Sequence, residues 1–142
     1  MAITIKIEKG NLNGTLKLSD RGHTKAKKGR TIKWKIKDKS NVTSILNIQL
    51  KDNTTDIFSR LPYKDDEDGS KWKAEIDEDA DDYAECEYSI TWLGDDGKTN
   101  THDPKITVMP SGFAPLKLLI ALVTIFLGFF SWQLLRRKIN RK

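Results

Sequence analysis

From Ile3 to Val108 apolar side chains recur at every second position, in short runs separated by turn residues. Ile3, Ile5 and Ile7 alternate with Thr4, Lys6 and Glu8, and Ile32, Trp34 and Ile36 alternate with Lys33, Lys35 and Lys37. The same period recurs at Leu16/Leu18, Leu46/Ile48/Leu50, Trp72/Ala74/Ile76, Ala84/Cys86/Tyr88/Ile90/Trp92 and Ile106/Val108, with a further short run near Ile57–Leu61. A period of two gives each strand one buried and one wet face, whereas a helix needs a period of 3.6. Turn chemistry divides the runs at Asn13-Gly14, Lys28-Gly29, Asp38–Asn41, Asp52–Asp56, Asp65–Gly69 and Asp96-Gly97. The spacing predicts an all-β domain over residues 1–110, an antiparallel sandwich or small barrel, and the expectation adopted is an antiparallel β-sandwich of seven to eight strands.

Beyond residue 110 the pattern changes. Residues 116–135 (LKLLIALVTIFLGFFSWQLL) form the long apolar run of the chain, without a charge from Leu118 to Leu135. Those eighteen positions reach about 27 Å as a helix, close to one bilayer core. The run predicts one C-terminal transmembrane helix, preceded by a hinge over 111–115 and followed by a basic tail over 136–142. Pro115 suits the helix's first turn. Lys117 can snorkel from one end, Trp132 suits the opposite interface, and Arg136, Arg137 and Lys138 meet the headgroups beyond it.

Two rules disagree about orientation. The basic tail places the C-terminus in the cytoplasm. Yet only seven residues follow the helix and Met1–Glu8 has no signal-like run, so the sandwich folds before the helix is available for insertion. The pattern resembles tail-anchored single-pass membrane proteins, and the expectation adopted is a cytosolic domain.

The net charge of +5 conceals a partition. Residues 1–110 hold 19 Lys+Arg against 20 Asp+Glu, and residues 111–142 hold 6 basic residues and no acid. Within the domain, residues 1–51 are net +10 and residues 52–110 net −11, the mark of a binding surface or of basic strands lying beside acidic ones. The strongest local feature is a basic surface made by Lys25, Lys27, Lys28, Arg30, Lys33, Lys35 and Lys37. Near a bilayer each such cation is worth about 1 kcal/mol with anionic lipid headgroups. Nucleic acid fits less well, because Trp34 has the opposite parity to the lysines and gives them no stacking platform. The competing explanations are that Glu85 and Glu87, outward on another strand, offset it, or that it is only a solubilising face.

The segment Gly29-Arg30-Thr31-Ile32-Lys33-Trp34 resembles the Gly-x-Thr-Ile-x-Trp strand of the cupredoxin-like β-sandwich family, and Tyr83–Trp92 with Lys105–Met109 is similar to its closing strands. The resemblance implies a sandwich and, in copper-binding members, Cys, His and Met ligands, for which Cys86, His102 and Met109 stand in order here. A two-residue turn at Asp96-Gly97 would pair His102 with Thr91 and Cys86 with Thr107, leaving the two ligands about 17 Å apart. A blue-copper site needs a cysteine and two histidines on one metal. The strand matching the family's first ligand reads Asn41-Val42-Thr43-Ser44, and the other histidine, His23, lies in a basic segment. The expectation is a sandwich lacking a copper site, with no cofactor and with Cys86 as a small core side chain.

Other chemistry is sparse. Asp77, Asp79 and Asp81 begin like a calcium loop, but Asp82 and Tyr88 stand where that loop needs Gly and Glu. Two histidines, one cysteine and no glycine-rich phosphate loop provide no nucleophile–base pair. The function expected is therefore a non-catalytic, membrane-anchored binding or recruitment module with a protein partner at the bilayer surface. Two alternatives stand beside it: an effector whose transmembrane helix oligomerises, with Gly128 permitting close contact, to perturb the bilayer, and an exported cupredoxin-like metal-binding protein.

Overall fold

Alternation and turn chemistry are realised in ten strands. The computed structural model describes residues 1–112. The strands are β1 (Ala2–Gly10), β2 (Leu16–Leu18), β3 (His23–Lys27), β4 (Thr31–Ile36), β5 (Val42–Leu50), β6 (Phe58–Lys64), β7 (Lys71–Ile76), β8 (Glu85–Gly94), β9 (Thr99–His102) and β10 (Lys105–Met109). They build two sheets, ordered β2-β1-β4-β7-β6 and β3-β10-β8-β5, with β9 also paired to β8. All lie in the unit Met1–Pro110. Among the described residues no helix is long and apolar enough to cross a membrane. The helix expected over 116–135 and its flanking Lys117, Trp132, Arg136, Arg137 and Lys138 lie outside the described residues.

The sandwich is mixed, not wholly antiparallel, and has more strands than the apolar runs suggest. β3 and β9 escape the pattern because their inward positions are small or polar: Thr24 and Ala26 in one, Asn100 and His102 in the other. The parallel pairs are β1 with β4 and β3 with β10. They arise because the chain changes sheets between β2 and β3. Asp20 organises that corner, accepting bonds from the Gly22 N–H (3.0 Å) and the Thr24 hydroxyl. Arg21 and Gly22 turn through positive φ, at 59° and 80°. The chain then returns to the first sheet as β4, running alongside β1 in the same direction.

Two local expectations also need correction. Leu46 is 45% exposed, because bulges after Val42 and Ile45 change the phase of β5 and turn Val42, Ile45 and Ile48 inward. The β8–β9 hairpin closes through three residues, Asp95-Asp96-Gly97, with Gly97 at φ 76°. Its register therefore sets Ile90 opposite His102 and Cys86 opposite Ile106, one residue from the pairing expected of a two-residue turn.

Inward side chains from both sheets form one core. Trp34 of β4 and Tyr88 of β8 join its halves: the indole N–H donates to the Tyr88 hydroxyl at 3.1 Å, and the rings meet edge to face at 5.6 Å. Trp72 and Trp92 likewise satisfy their N–H groups on the carbonyls of Ile45 and Gly14. Gly10 makes room for Trp92, since a Cβ there would lie 2.7 Å from the indole ring.

Candidate functional site: a lysine grid on the first sheet

The parity that buries Ile5, Ile7, Ile32, Trp34, Trp72 and Ala74 sends their lysine neighbours to the outer face. The register then decides which lysines meet. Parallel pairing sets Lys6 beside Lys35 and Thr4 beside Lys33. Antiparallel pairing on the other edge of β4 sets Lys71 beside Lys35 and Lys73 beside Lys33. The result is a grid of two rows, Lys6–Lys35–Lys71 and Thr4–Lys33–Lys73. Neighbours stand about 4.8 Å apart across strands and about 6.7 Å along them. Tyr63 pairs with Lys73 from β6, with the Arg60 guanidinium 3.8 Å above its ring.

A depression of about 220 Å³ opens in this face, lined by Thr4, Lys33, Lys35, Asp65, Lys71 and Lys73 over Trp34 and Trp72. The β6–β7 loop provides acids on one side only. Asp65 holds Lys73 at 2.8 Å, and Asp66 lies 4.0 Å from Lys71. The Asp65 hydrogen bond, helped by that residue's charge, raises the Lys73 ammonium above its ordinary value against partial desolvation. Partial burial works against the charge on Asp66, but bonds from the Ser70 hydroxyl and the Lys71 N–H outweigh it and keep the carboxyl below its usual range. Among the described residues Lys6, Lys33 and Lys35 form no ion pair. Like charges directly opposite one another destabilise a sheet, so the pairs Lys6–Lys35, Lys35–Lys71 and Lys33–Lys73 are held together at a cost.

The basic surface expected from sequence is thereby divided. Lys33 and Lys35 join the grid on the first sheet, whereas Lys25 and Lys27 alternate outward from β3 in the second. Lys28 is bound to Asp82 at 2.9 Å, Arg30 donates to the Met1 carbonyl at 3.4 Å, and Lys37 is exposed just beyond β4. Lys6, Lys71 and Lys73 join the grid without belonging to that expected surface, although their parity relative to Ile5, Ile7, Trp72 and Ala74 marks them as outward. What the linear pattern lacks is the knowledge that β1 and β7 flank β4.

The second sheet's outer face is more balanced. Lys105 pairs with Glu85 at 3.1 Å, and Thr107 donates to the same carboxylate while contacting His23 Nε2 at 2.8 Å. This His–Thr–Glu chain has the members of a hydroxyl-activating relay but the wrong chemistry. Thr107 is buried, and the Lys105 bond holds Glu85 below the usual carboxylate range, making it a weak base.

Cys86 and His102 face β-partners four positions apart on one edge of β8, roughly 13 Å along the sheet. Burial pushes the Cys86 thiol up to about 11 and lowers the His102 imidazole, with Asp103 and Asp20 opposing the latter shift. Among the described residues no three His, Cys, Asp or Glu side chains converge on a metal position. That applies to the copper triad and to Asp77–Asp82, where Asp77 instead accepts the Asp79 N–H.

The fold is thus a two-sheet β-sandwich of mixed strands with a lysine-rich outer face. No protein-family model matches this chain, and no curated protein sequence matches it significantly.

Proposed function

We propose that this protein is a non-catalytic, membrane-anchored binding module, a cupredoxin-like sandwich without a copper site, whose lysine grid engages an anionic partner at a bilayer surface. The observation carrying this reading is the adjacency of Lys6, Lys33 and Lys35, none of them in an ion pair among the described residues, on the central strands of one sheet. Electrostatic repulsion makes such an arrangement unfavourable unless a partner relieves it. The family likeness rests on the Gly29–Trp34 segment at the centre of the first sheet and on the closing strands β8 and β10. The apolar run 116–135 supplies the anchor, with the domain in the cytosol and the helix available for self-association.

Two measurements test the reading. Full-length protein should pellet with membranes after carbonate washing and enter solution only with detergent; release by carbonate alone would remove the anchor. K33E/K35E should retain membrane insertion and lose the cellular activity or partner recruitment of the wild type. If that variant keeps full activity while replacement of 116–135 by a generic apolar helix abolishes it, the bilayer-perturbing effector replaces the binding module.

A further inference from the structure

The grid's chemistry defines its ligand more narrowly than "anionic". We infer that it binds clustered phosphates: two or more phosphomonoester groups a few Å apart on one small scaffold, as on a polyphosphorylated lipid headgroup or its soluble counterpart. The inference rests on the reading that the lysine face is the binding surface, but not on the membrane anchor.

Three observations converge on this class. The first is charge density. Lys33 and Lys35 line the depression with Lys71 and Lys73, and Lys6 pairs across to Lys35. Among the described residues only Lys71 and Lys73 of these five are in ion pairs, with Asp66 and with Asp65, which also lines the depression. Each phosphomonoester carries about −1.5 to −2 at pH 7 with three acceptor oxygens. Two of them match the charge of the three lysines that form no ion pair among the described residues, Lys33 and Lys35 in the lining and Lys6 beside Lys35, whereas three carboxylates would be needed for the same charge. The second is size. A depression of about 220 Å³ is smaller than the roughly 300–1,000 Å³ of ordinary drug-sized ligand sites, and suits compact charged groups.

The third is donor type. The lining cations are all lysines, flexible point charges suited to phosphate, without the planar guanidinium fork that selects paired carboxylate oxygens. Arg60 lies over Tyr63, outside the lining. Trp34 and Trp72 beneath the depression are buried and turned into the core, so they offer no face for a nucleobase. Thr4 adds a neutral hydroxyl beside Lys33.

The test uses the full chain in phosphatidylcholine nanodiscs, titrated calorimetrically with inositol hexakisphosphate, inorganic phosphate and a hexaglutamate peptide. Inositol hexakisphosphate should bind at least tenfold more tightly than either of the others. K33E/K35E, or K6Q/K33Q/K35Q should the reversal impair folding, should weaken it at least tenfold. K25E/K27E, on the second sheet, should change it less than threefold. D65N, which frees Lys73, should tighten it severalfold. Nanodiscs containing phosphatidylinositol bisphosphate should weaken the apparent affinity by competition if the headgroup is the source. Unchanged affinity there, with the other results intact, makes the phosphate ligand soluble and retains the inference. Equal binding of hexaglutamate, or equal losses from the two charge-reversal pairs, overturns it. Should the chain prove soluble without detergent, the same titration in buffer still decides the ligand, so failure of the anchor and failure of the phosphate site are separable.

Discussion

Lys35 occupies the middle of the row Lys6–Lys35–Lys71, so Lys35→Glu should make the fold more stable while removing binding capacity. In the native register Lys35 has a like charge directly opposite on each side. An opposite-charge cross-strand pair contributes roughly 0.2–1 kcal/mol relative to alanine, and a like pair costs a similar amount. Replacing two repulsions by two attractions, discounted for the exposure of these side chains, gives a net gain of about 1 kcal/mol. For a domain of this size that corresponds to a rise of about 4–6 °C in Tm. The assay is a thermal melt of the full chain in a neutral detergent at low salt, repeated near 1 M NaCl, where a Debye length of about 3 Å should erase most of the gain. Lys35→Gln should fall between wild type and Glu. A Lys35→Glu protein that melts lower than wild type, or whose gain survives high salt, would show that the lysines are not in mutual repulsion.

Three further outcomes follow from the core and its edges. Tyr88→Phe deletes the acceptor of the Trp34 indole N–H at a fully buried site, and should cost about 1–3 kcal/mol in chemical denaturation without altering phosphate binding. Gly10→Ala introduces a Cβ 2.7 Å from the Trp92 ring and 2.9 Å from Val42, and should cost about 1–3 kcal/mol; adding Trp92→Phe should cost less than the sum of the single changes. The Lys51 and Ser89 hydrogen bonds hold the Asp103 carboxyl below its ordinary range, so its stabilisation is complete above the unfolded carboxylate pKa and lost as pH falls through the depressed folded value. His102, lowered mainly by burial, adds a loss of the same sign below its ordinary value of 6.5. Denaturation midpoints should therefore be flat above about pH 7 and fall on acidification, with Asp103→Asn flattening the lower limb and His102→Gln the upper. A midpoint that rises on acidification would contradict both assignments.

Much of this sandwich is legible in its sequence because large apolar side chains at alternate positions leave few choices. Ile5, Ile7, Ile32, Trp34, Trp72, Tyr88, Ile90 and Trp92 are all buried as parity requires. Strands with small inward residues are not legible in this way, because Thr24 and Ala26 are common in loops as well. Bulges defeat parity for a different reason: one extra residue changes which side chain faces in, as Leu46 does on β5. The grid was half visible. Lys33 and Lys35 stand out within β4, but Lys6, Lys71 and Lys73 join them only through strand order, and strand order depends on where the chain switches sheets. Lys25 and Lys27, adjacent to the grid in sequence, go to the other sheet through that same switch.

Pairing β3 with β10 joins His23–Lys27 to Lys105–Met109, so the ends of one ladder are separated by nearly the whole domain. Such wide separation makes closure slow, because the loop entropy must be met before the contact forms. During synthesis β3 therefore waits as an open edge until the last strand has been made. The next stretch to emerge is the chain's most water-averse, so maturation of the domain and exposure of residues 116–135 become consecutive events. A nascent chain delayed before β10 would display an unfinished sheet, and one delayed after it a completed sheet with the apolar run still to come.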